Sequence, residues 1–95
     1  MALYVITAFD KLDGAALRAE HRPAHRAYLA EQAPMLKIAG PLLDDAGAMI
    51  GSLFIVEAAG RSDAEAFSAG DPFSKIGLFA QIEIRPWMLT MGGFA

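Results

Sequence analysis

The 95 residues are enough for one hydrophobic core and too few for two, so we predict a single domain over residues 1–95. Hydrophobic residues make up 55% of the chain and charged residues 20%, and self-association is the natural way for so small a domain to cover its apolar surface. The net charge of −3 argues against nucleic acid or an anionic membrane as a partner, and the absence of cysteine excludes disulfides, a thiolate nucleophile and cysteine-ligated zinc.

The first strand is predicted over residues 2–9, an almost continuous apolar run typical of a strand buried on both faces. A polar turn follows, with Asp13 as the predicted N-cap of a helix. Residues 15–33 have helical composition, but Pro23 lacks the N–H that a helix interior requires. We therefore predict a short helical turn and then a main helix that restarts near Arg22, with a single kinked helix as the alternative.

The second strand is predicted over residues 35–43, where Pro41 suits a sheet edge, and the third over residues 52–58. A short helix is expected to begin at Ser62 or Asp63 and to end near residue 69. The last strand, residues 79–87, alternates apolar with polar side chains, as expected for a strand with one face in water.

The resulting β-α-β-β-α-β order is that of the ferredoxin-like α+β fold, whose four strands form an antiparallel sheet. The first and third strands are the most apolar and suit the centre of that sheet, whereas the proline and the charges suit its edges. The helices would cover one face of the sheet. Because the central strands are apolar on both faces, we expect a homodimer packed sheet to sheet.

The only two histidines, His21 and His25, lie four residues apart, a spacing that on an unbroken helix could share a metal. Pro23 interrupts this geometry and no cysteine is available as a third ligand, so we predict no metal and a solvated His21. His25 would lie in the first turn of the restarted helix, whose electropositive end favours the neutral imidazole that can act as a base. The alternative is an ordinary surface or interface histidine.

Asp71 precedes Pro72 and so fits the N-cap of a helix, but its carboxylate could equally orient the ring of His25. Ser52 could offer its hydroxyl group to a ligand, although a serine at a strand start commonly serves turn geometry. The sequence contains no nucleophile elbow, phosphate-binding loop or paired-carboxylate spacing. The N-terminus lacks a basic signal region and no apolar run reaches the ~18 residues of a membrane span, so a cytoplasmic protein is expected.

Several segments together resemble the YCII-like family: LYVITAFD at residues 3–10, RPAHRAYL at 22–29, AGPLLDD at 39–45, GS at 51–52 and GDPF at 70–73. The resemblance implies a ferredoxin-like fold and a dimeric α+β barrel. It also implies that His25 and Asp71 are the catalytic pair and that Gly51 and Ser52 border their pocket. Arg22, in the Arg-Pro-x-His segment, is the remaining substrate-binding candidate. Family members with known activities are lyases and isomerases of ring-derived small molecules, including a dehydrochlorinating one.

Two functions of different class follow. In the first, the chain is a cofactor-free enzyme in which His25 moves a proton on a small molecule while Asp71 holds its tautomer. In the second, it is a non-catalytic dimeric binding or accessory protein in which the same two side chains merely make a hydrogen bond. The two differ in whether the side chains meet beside an open pocket or in a sealed contact.

Overall fold

The computed structural model describes residues 1–94 and contains four strands and three helices within them. The elements are β1 (Ala2–Asp10), α1 (Ala15–Glu31), β2 (Leu36–Leu43), β3 (Met49–Ala58), α2 (Arg61–Gly70), α3 (Pro72–Lys75) and β4 (Phe79–Trp87). The strands form one antiparallel sheet in the order β2-β3-β1-β4. The ferredoxin-like α+β fold is therefore confirmed, with β1 and β3 at the centre and β2 and β4 at the edges.

The hydrophobic core lies between the helices and one face of the sheet. On β1, Tyr4 and Ile6 are buried, whereas the residues that alternate with them are only half-buried. Ile6 pairs in register with Phe54 of β3 and Ile84 of β4, so all three side chains point to the same face. Phe67 of α2 packs into this cluster from the helix side. The opposite face of the sheet carries no helix.

The helix α1 runs through Pro23, so the predicted restart near Arg22 is wrong, and the residues on both sides of the proline belong to one helix, as in the alternative of a single kinked helix. The proline removes one backbone hydrogen bond, but it lies on the exposed side of the helix. On the buried side, Arg18 lies before the proline and His25 after it, and each makes hydrogen bonds to other elements. These contacts hold the turns on both sides of the proline in one helix.

Other element boundaries also differ from the predictions. Gly14, not Asp13, is the N-cap of α1, because Asp13 adopts a left-handed conformation with φ of 62° that an N-cap does not use. The strand β3 begins at Met49, three residues before the predicted start at Ser52. The helix α2 begins at Arg61 rather than at either of the two residues that follow it.

None of the helices within residues 1–94 is both long and apolar enough to cross a membrane.

Candidate functional site

His25 and Asp71 meet in the interior although 46 residues separate them in the chain. His25 projects from the buried side of α1, and Asp71 stands between α2 and α3. Nδ1 of His25 lies 2.8 Å from Oδ1 of Asp71, and the two residues are only 7% and 1% exposed. His25 is about three helical turns from the start of α1, so the predicted influence of a helix N-terminus on its ring is wrong.

Asp71 also caps the short helix α3. Its Oδ1 accepts a hydrogen bond of 2.9 Å from the backbone N–H of Phe73, and Pro72 occupies the first turn. The cap and the contact with His25 therefore share one oxygen atom. The other oxygen, Oδ2, is buried and accepts no hydrogen bond from residues 1–94.

Two aromatic side chains fix the plane of the His25 ring. Phe73 stacks on it with a centroid distance of 4.0 Å and an interplanar angle of 14°. Phe54 meets it edge-on, at 6.0 Å and 61°. Because an ionised carboxylate has only acceptors, we assign the imidazole proton to Nδ1, where it is donated to Asp71. Nε2 is then the ring atom with a free lone pair.

A cavity of about 240 Å³ borders His25 between α1 and the β2–β3 edge of the sheet. The helix α1 lines it with Arg18, Arg22, His25, Arg26 and Leu29, and the strands contribute Ser52 among others. Three larger cavities, of about 480, 510 and 380 Å³, lie elsewhere, and neither His25 nor Asp71 lines any of them. We take the cavity beside His25 as the candidate site, because it is lined by a member of the buried His25–Asp71 pair and the larger cavities are not.

Arg18 is the residue of this site that sequence reasoning missed. It is 4% exposed, and Asp10 accepts hydrogen bonds from its Nε at 2.7 Å and from its Nη2 at 2.9 Å. Nη2 also donates to the hydroxyl group of Ser52 at 3.0 Å, and the guanidinium carbon lies 4.7 Å from the centre of the Phe73 ring. Its position seven residues before His25 was an available signal, since on a continuous helix this spacing places both on one face.

Of the other predicted site residues, Ser52 and Arg22 line the cavity, whereas Gly51 does not. Gly51 is buried where β1 and β3 pair, and a Cβ atom there would overlap the carbonyl oxygen of Ala8. The expectation that Gly51 borders the pocket is therefore replaced by a packing role in the sheet. His21 does not line the cavity either, and its Nε2 lies 2.8 Å from the carboxylate of Glu20.

Tyr28 supports the segment that carries Asp71. Its hydroxyl group donates a 2.8 Å hydrogen bond to the carbonyl oxygen of Phe67 in the last turn of α2. Gly70 leaves room for the ring, because a Cβ atom there would lie 2.6 Å from the Tyr28 oxygen. Burial raises the pKa of Tyr28, and the negative charges of Asp71 and Glu31 raise it further. Tyr28 thus stays a neutral donor, and it fixes the last turn of α2, which ends one residue before Asp71.

No group of three or more histidine, aspartate or glutamate side chains within residues 1–94 is arranged to hold a metal ion.

Comparison with known proteins agrees with this fold. Protein YciI from Escherichia coli O6:H1 is 34% identical over 93 residues, which cover 90% of this chain and 95% of that protein, and YciI from Shigella flexneri matches to the same extent. An uncharacterised NIPSNAP domain protein from Burkholderia xenovorans shares the fold alone, with a TM-score of 0.54, 12% identity and 95% coverage of both chains.

A solved structure with higher similarity is the 5-chloro-2-hydroxyhydroquinone dehydrochlorinase TftG from Burkholderia phenoliruptrix AC1100, in complex with 2,5-dihydroxybenzoquinone. Its TM-score is 0.83 at 33% identity, over 90% of this chain and 93% of the other. Residues 2–88 match the YCII-related domain as a whole, so they include all seven elements of the fold and both His25 and Asp71. The chain therefore belongs to the YCII family.

Proposed function

We propose that this protein is an enzyme of the lyase or isomerase type that uses His25 as general acid and base, without a cofactor, on a small organic substrate. Nε2 of His25 takes a proton from the substrate, and Asp71 holds Nδ1 protonated and stabilises the imidazolium that forms. The similarity to a dehydrochlorinase supports this class of reaction and makes a ring-derived substrate the first choice.

One observation carries the proposal: His25 is hydrogen-bonded to a buried carboxylate on one side and lines a cavity on the other. A binding or accessory protein needs no such arrangement, and in that case the pair would be expected to form a sealed contact. Here the carboxylate is enclosed while His25 lines the cavity, and this arrangement supports proton transfer to a ligand.

In an elimination, Nε2 takes a proton from a carbon or a hydroxyl group of the substrate, and the electrons of the broken C–H or O–H bond move toward the carbon that carries the leaving group and form the new double bond. In a chlorinated hydroxyhydroquinone the proton comes from a hydroxyl group of the keto form, and chloride departs with its own bonding pair to leave a quinone. The imidazolium then releases the proton to water. An isomerisation uses the same first step, but the proton returns to a different carbon.

Release of chloride from 5-chloro-2-hydroxyhydroquinone tests this proposal. We expect release by the wild type and a loss of roughly 10²–10⁴-fold in His25→Gln, the contribution that a general acid or base commonly makes. His21→Gln is the matched control and should release chloride at the wild-type rate. Equal rates for His25→Gln and the wild type would contradict the proposal.

We also propose that the protein acts as a homodimer that pairs through the helix-free face of the sheet. Leu3, Val5 and Leu53 are half-buried on that face, with Phe9, Ile38 and Trp87 exposed to 42%, 40% and 37%. Gln81, Glu83 and Arg85 of the edge strand β4 lie on the same face, at its side. An apolar centre with a polar rim is the usual composition of a protein interface.

A further inference from the structure

Arg22 and Arg26 differ from the other arginines of the chain in having no ion pair or hydrogen bond within residues 1–94. Arg18 binds Asp10, while the carboxylates of Glu65 and Glu83 lie near Arg61 and Arg85 respectively. Arg22 and Arg26 instead both line the cavity beside His25. The cavity thus holds two cationic groups whose charge is not neutralised by the described residues.

This concentration of charge is unfavourable for the helix itself. Arg18, Arg22 and Arg26 follow one another at intervals of four residues on α1, and like charges at that spacing repel each other. The chain as a whole is acidic, with 11 Asp and Glu residues against 8 Lys and Arg. None of those acidic residues lines the cavity. Arg22 and Arg26 are both exposed, and no carboxylate of the described residues faces them across the cavity, so an anion bound there would neutralise their charge.

The hydroxyl group of Ser52, which also lines the cavity, can donate a hydrogen bond as well. Ser52 accepts a hydrogen bond from Nη2 of Arg18, so its own hydroxyl hydrogen is available for another acceptor. Ser52 is 2% exposed and its orientation is fixed by that contact. Apart from His25, the polar side chains of the wall thus present donors, which select a ligand with acceptor oxygens.

We infer that the cavity binds a small organic anion whose charged oxygen atoms, from a carboxylate or an ionised hydroxyl group, are held by Arg22 and Arg26. Residues four apart on a helix have Cβ atoms about 5–6 Å apart, so the two guanidinium groups can reach one carboxylate or two oxygens of one ring. The volume of about 240 Å³ is below the ~300–1,000 Å³ of drug-sized ligand pockets and suits a single ring or a short chain.

This inference names the class of substrate for the proposed function, and it rests on that function where turnover of the bound anion is concerned. Binding of the anion can be tested without any reaction. Calorimetry would use three probes of similar size: 2,5-dihydroxybenzoquinone, which is ionised near neutral pH; 2,5-dihydroxybenzoate, a carboxylate; and the neutral 2,5-dimethoxybenzoquinone. We expect at least one of the two anions to bind and the neutral compound to bind at least about tenfold more weakly. Which anion binds more tightly distinguishes an ionised hydroxyl group from a carboxylate.

Substitution identifies the groups responsible. Arg22→Gln and Arg26→Gln should each raise the Kd of the bound anion by about tenfold or more, and raising NaCl from about 50 to about 500 mM should weaken binding to the wild type. Lys75→Gln, which removes one exposed positive charge outside the cavity, is the control and should leave the Kd unchanged. Circular dichroism would verify that the variants are folded.

Equal affinity for the neutral and anionic probes, no binding of either anion, or wild-type Kd values in both arginine variants would overturn the inference. Its failure is distinguishable from failure of the proposed function. His25→Gln should keep anion binding and lose turnover, whereas the arginine variants should raise KM more than they lower kcat. Anion binding without any turnover contradicts the enzyme alone, and turnover that is insensitive to Arg22 and Arg26 contradicts the anion site alone.

Discussion

One oxygen atom of Asp71 connects a local and a distant contact. Oδ1 accepts the backbone N–H of Phe73 two residues ahead and also meets Nδ1 of His25 on another helix. From the sequence, the cap and the partner of His25 were alternative interpretations of this aspartate. In the structure the two contacts coexist, because a capping carboxylate stands at the end of its helix and can still be reached from outside. The cap fixes the backbone from which the carboxylate meets the ring.

Two substitutions of Asp71 should separate its structural role from its role toward His25. Asparagine caps helices about as well as aspartate, so Asp71→Asn should change the free energy of unfolding by less than about 1 kcal/mol while lowering turnover. Asp71→Ala removes the cap and leaves buried donors unpaired, so it should lower the free energy of unfolding by about 2–4 kcal/mol. Urea unfolding of both variants checks this, with Asp63→Asn in the exposed first turn of α2 as the control. Equal destabilisation by asparagine and alanine would contradict it.

Tyr28 should make stability depend on pH in the alkaline range. Burial raises the pKa of its hydroxyl group in the folded protein, with Asp71 and Glu31 adding to the effect. A group whose pKa is higher when folded stabilises the protein fully below its unfolded value, about 10, and loses that contribution as pH rises further. We therefore expect the free energy of unfolding to fall as pH rises above about 10.

The Tyr28→Phe variant measures that dependence. It should lose about 0.5–1.5 kcal/mol near neutral pH through the missing hydrogen bond to Phe67, and its stability should fall less steeply above pH ~10. Glu31→Gln keeps the hydrogen bond and removes one negative charge, so it should lower the pKa of Tyr28, seen as tyrosinate absorbance at lower pH. If the free energy of unfolding falls equally steeply above pH ~10 in the wild type and in Tyr28→Phe, Tyr28 does not have this role.

Among the secondary-structure elements, the strands were predicted better than the helix ends. Runs of apolar residues with β-branched centres identify strands directly, and the choice of central and edge strands followed from where proline and charge fall. The main error was to predict a break before Pro23, with the main helix restarting near Arg22. Pro23 removes a backbone hydrogen bond and so destabilises the helix locally, but the contacts of Arg18 and His25 with other elements outweigh this loss. No short-range sequence pattern reveals those contacts.

Only part of the site could be predicted from the sequence, because contacts between residues that are distant in the chain leave no short-range pattern. His25 and Asp71 stand in recognisable short segments. Arg18 lies outside any such segment, and its role depends on Asp10 and on Ser52, which is 34 residues away in the chain. The error at Pro23 also concealed it, because a broken helix would not place residues 18 and 25 on the same face.

Gly51 should matter for strand packing. A Cβ atom at this position would overlap the carbonyl oxygen of Ala8 on the neighbouring central strand, so Gly51→Ala should destabilise the fold by about 1–3 kcal/mol. Gly40→Ala on the edge strand is the matched control, because no atom lies within 4 Å of a Cβ built there, and it should be neutral or slightly stabilising. Urea denaturation measures both, and equal effects would refute the prediction.

For the molecule as a whole, the helix-free face of the sheet should control assembly. If two copies pair through it, they should bury more than about 1,000 Å², and Val5→Glu should place a charge in the interface and yield monomers. Ala27→Glu, on the exposed side of α1, should remain dimeric. Sedimentation velocity at micromolar concentration measures both variants. A monomeric wild type, or a Val5→Glu variant that stays dimeric, would contradict the proposed pairing.

The separation of 46 residues between His25 and Asp71 has a kinetic consequence. Their hydrogen bond closes a long loop, and it can form only after α1 and the α2–α3 corner have docked on the same sheet. Contacts at such sequence separation gain nothing until the entropy of loop closure has been overcome, so they belong to the late part of a folding reaction. A nascent or partly unfolded chain with intact helices would therefore lack the His25–Asp71 pair, and the proposed base would form only together with cooperative folding.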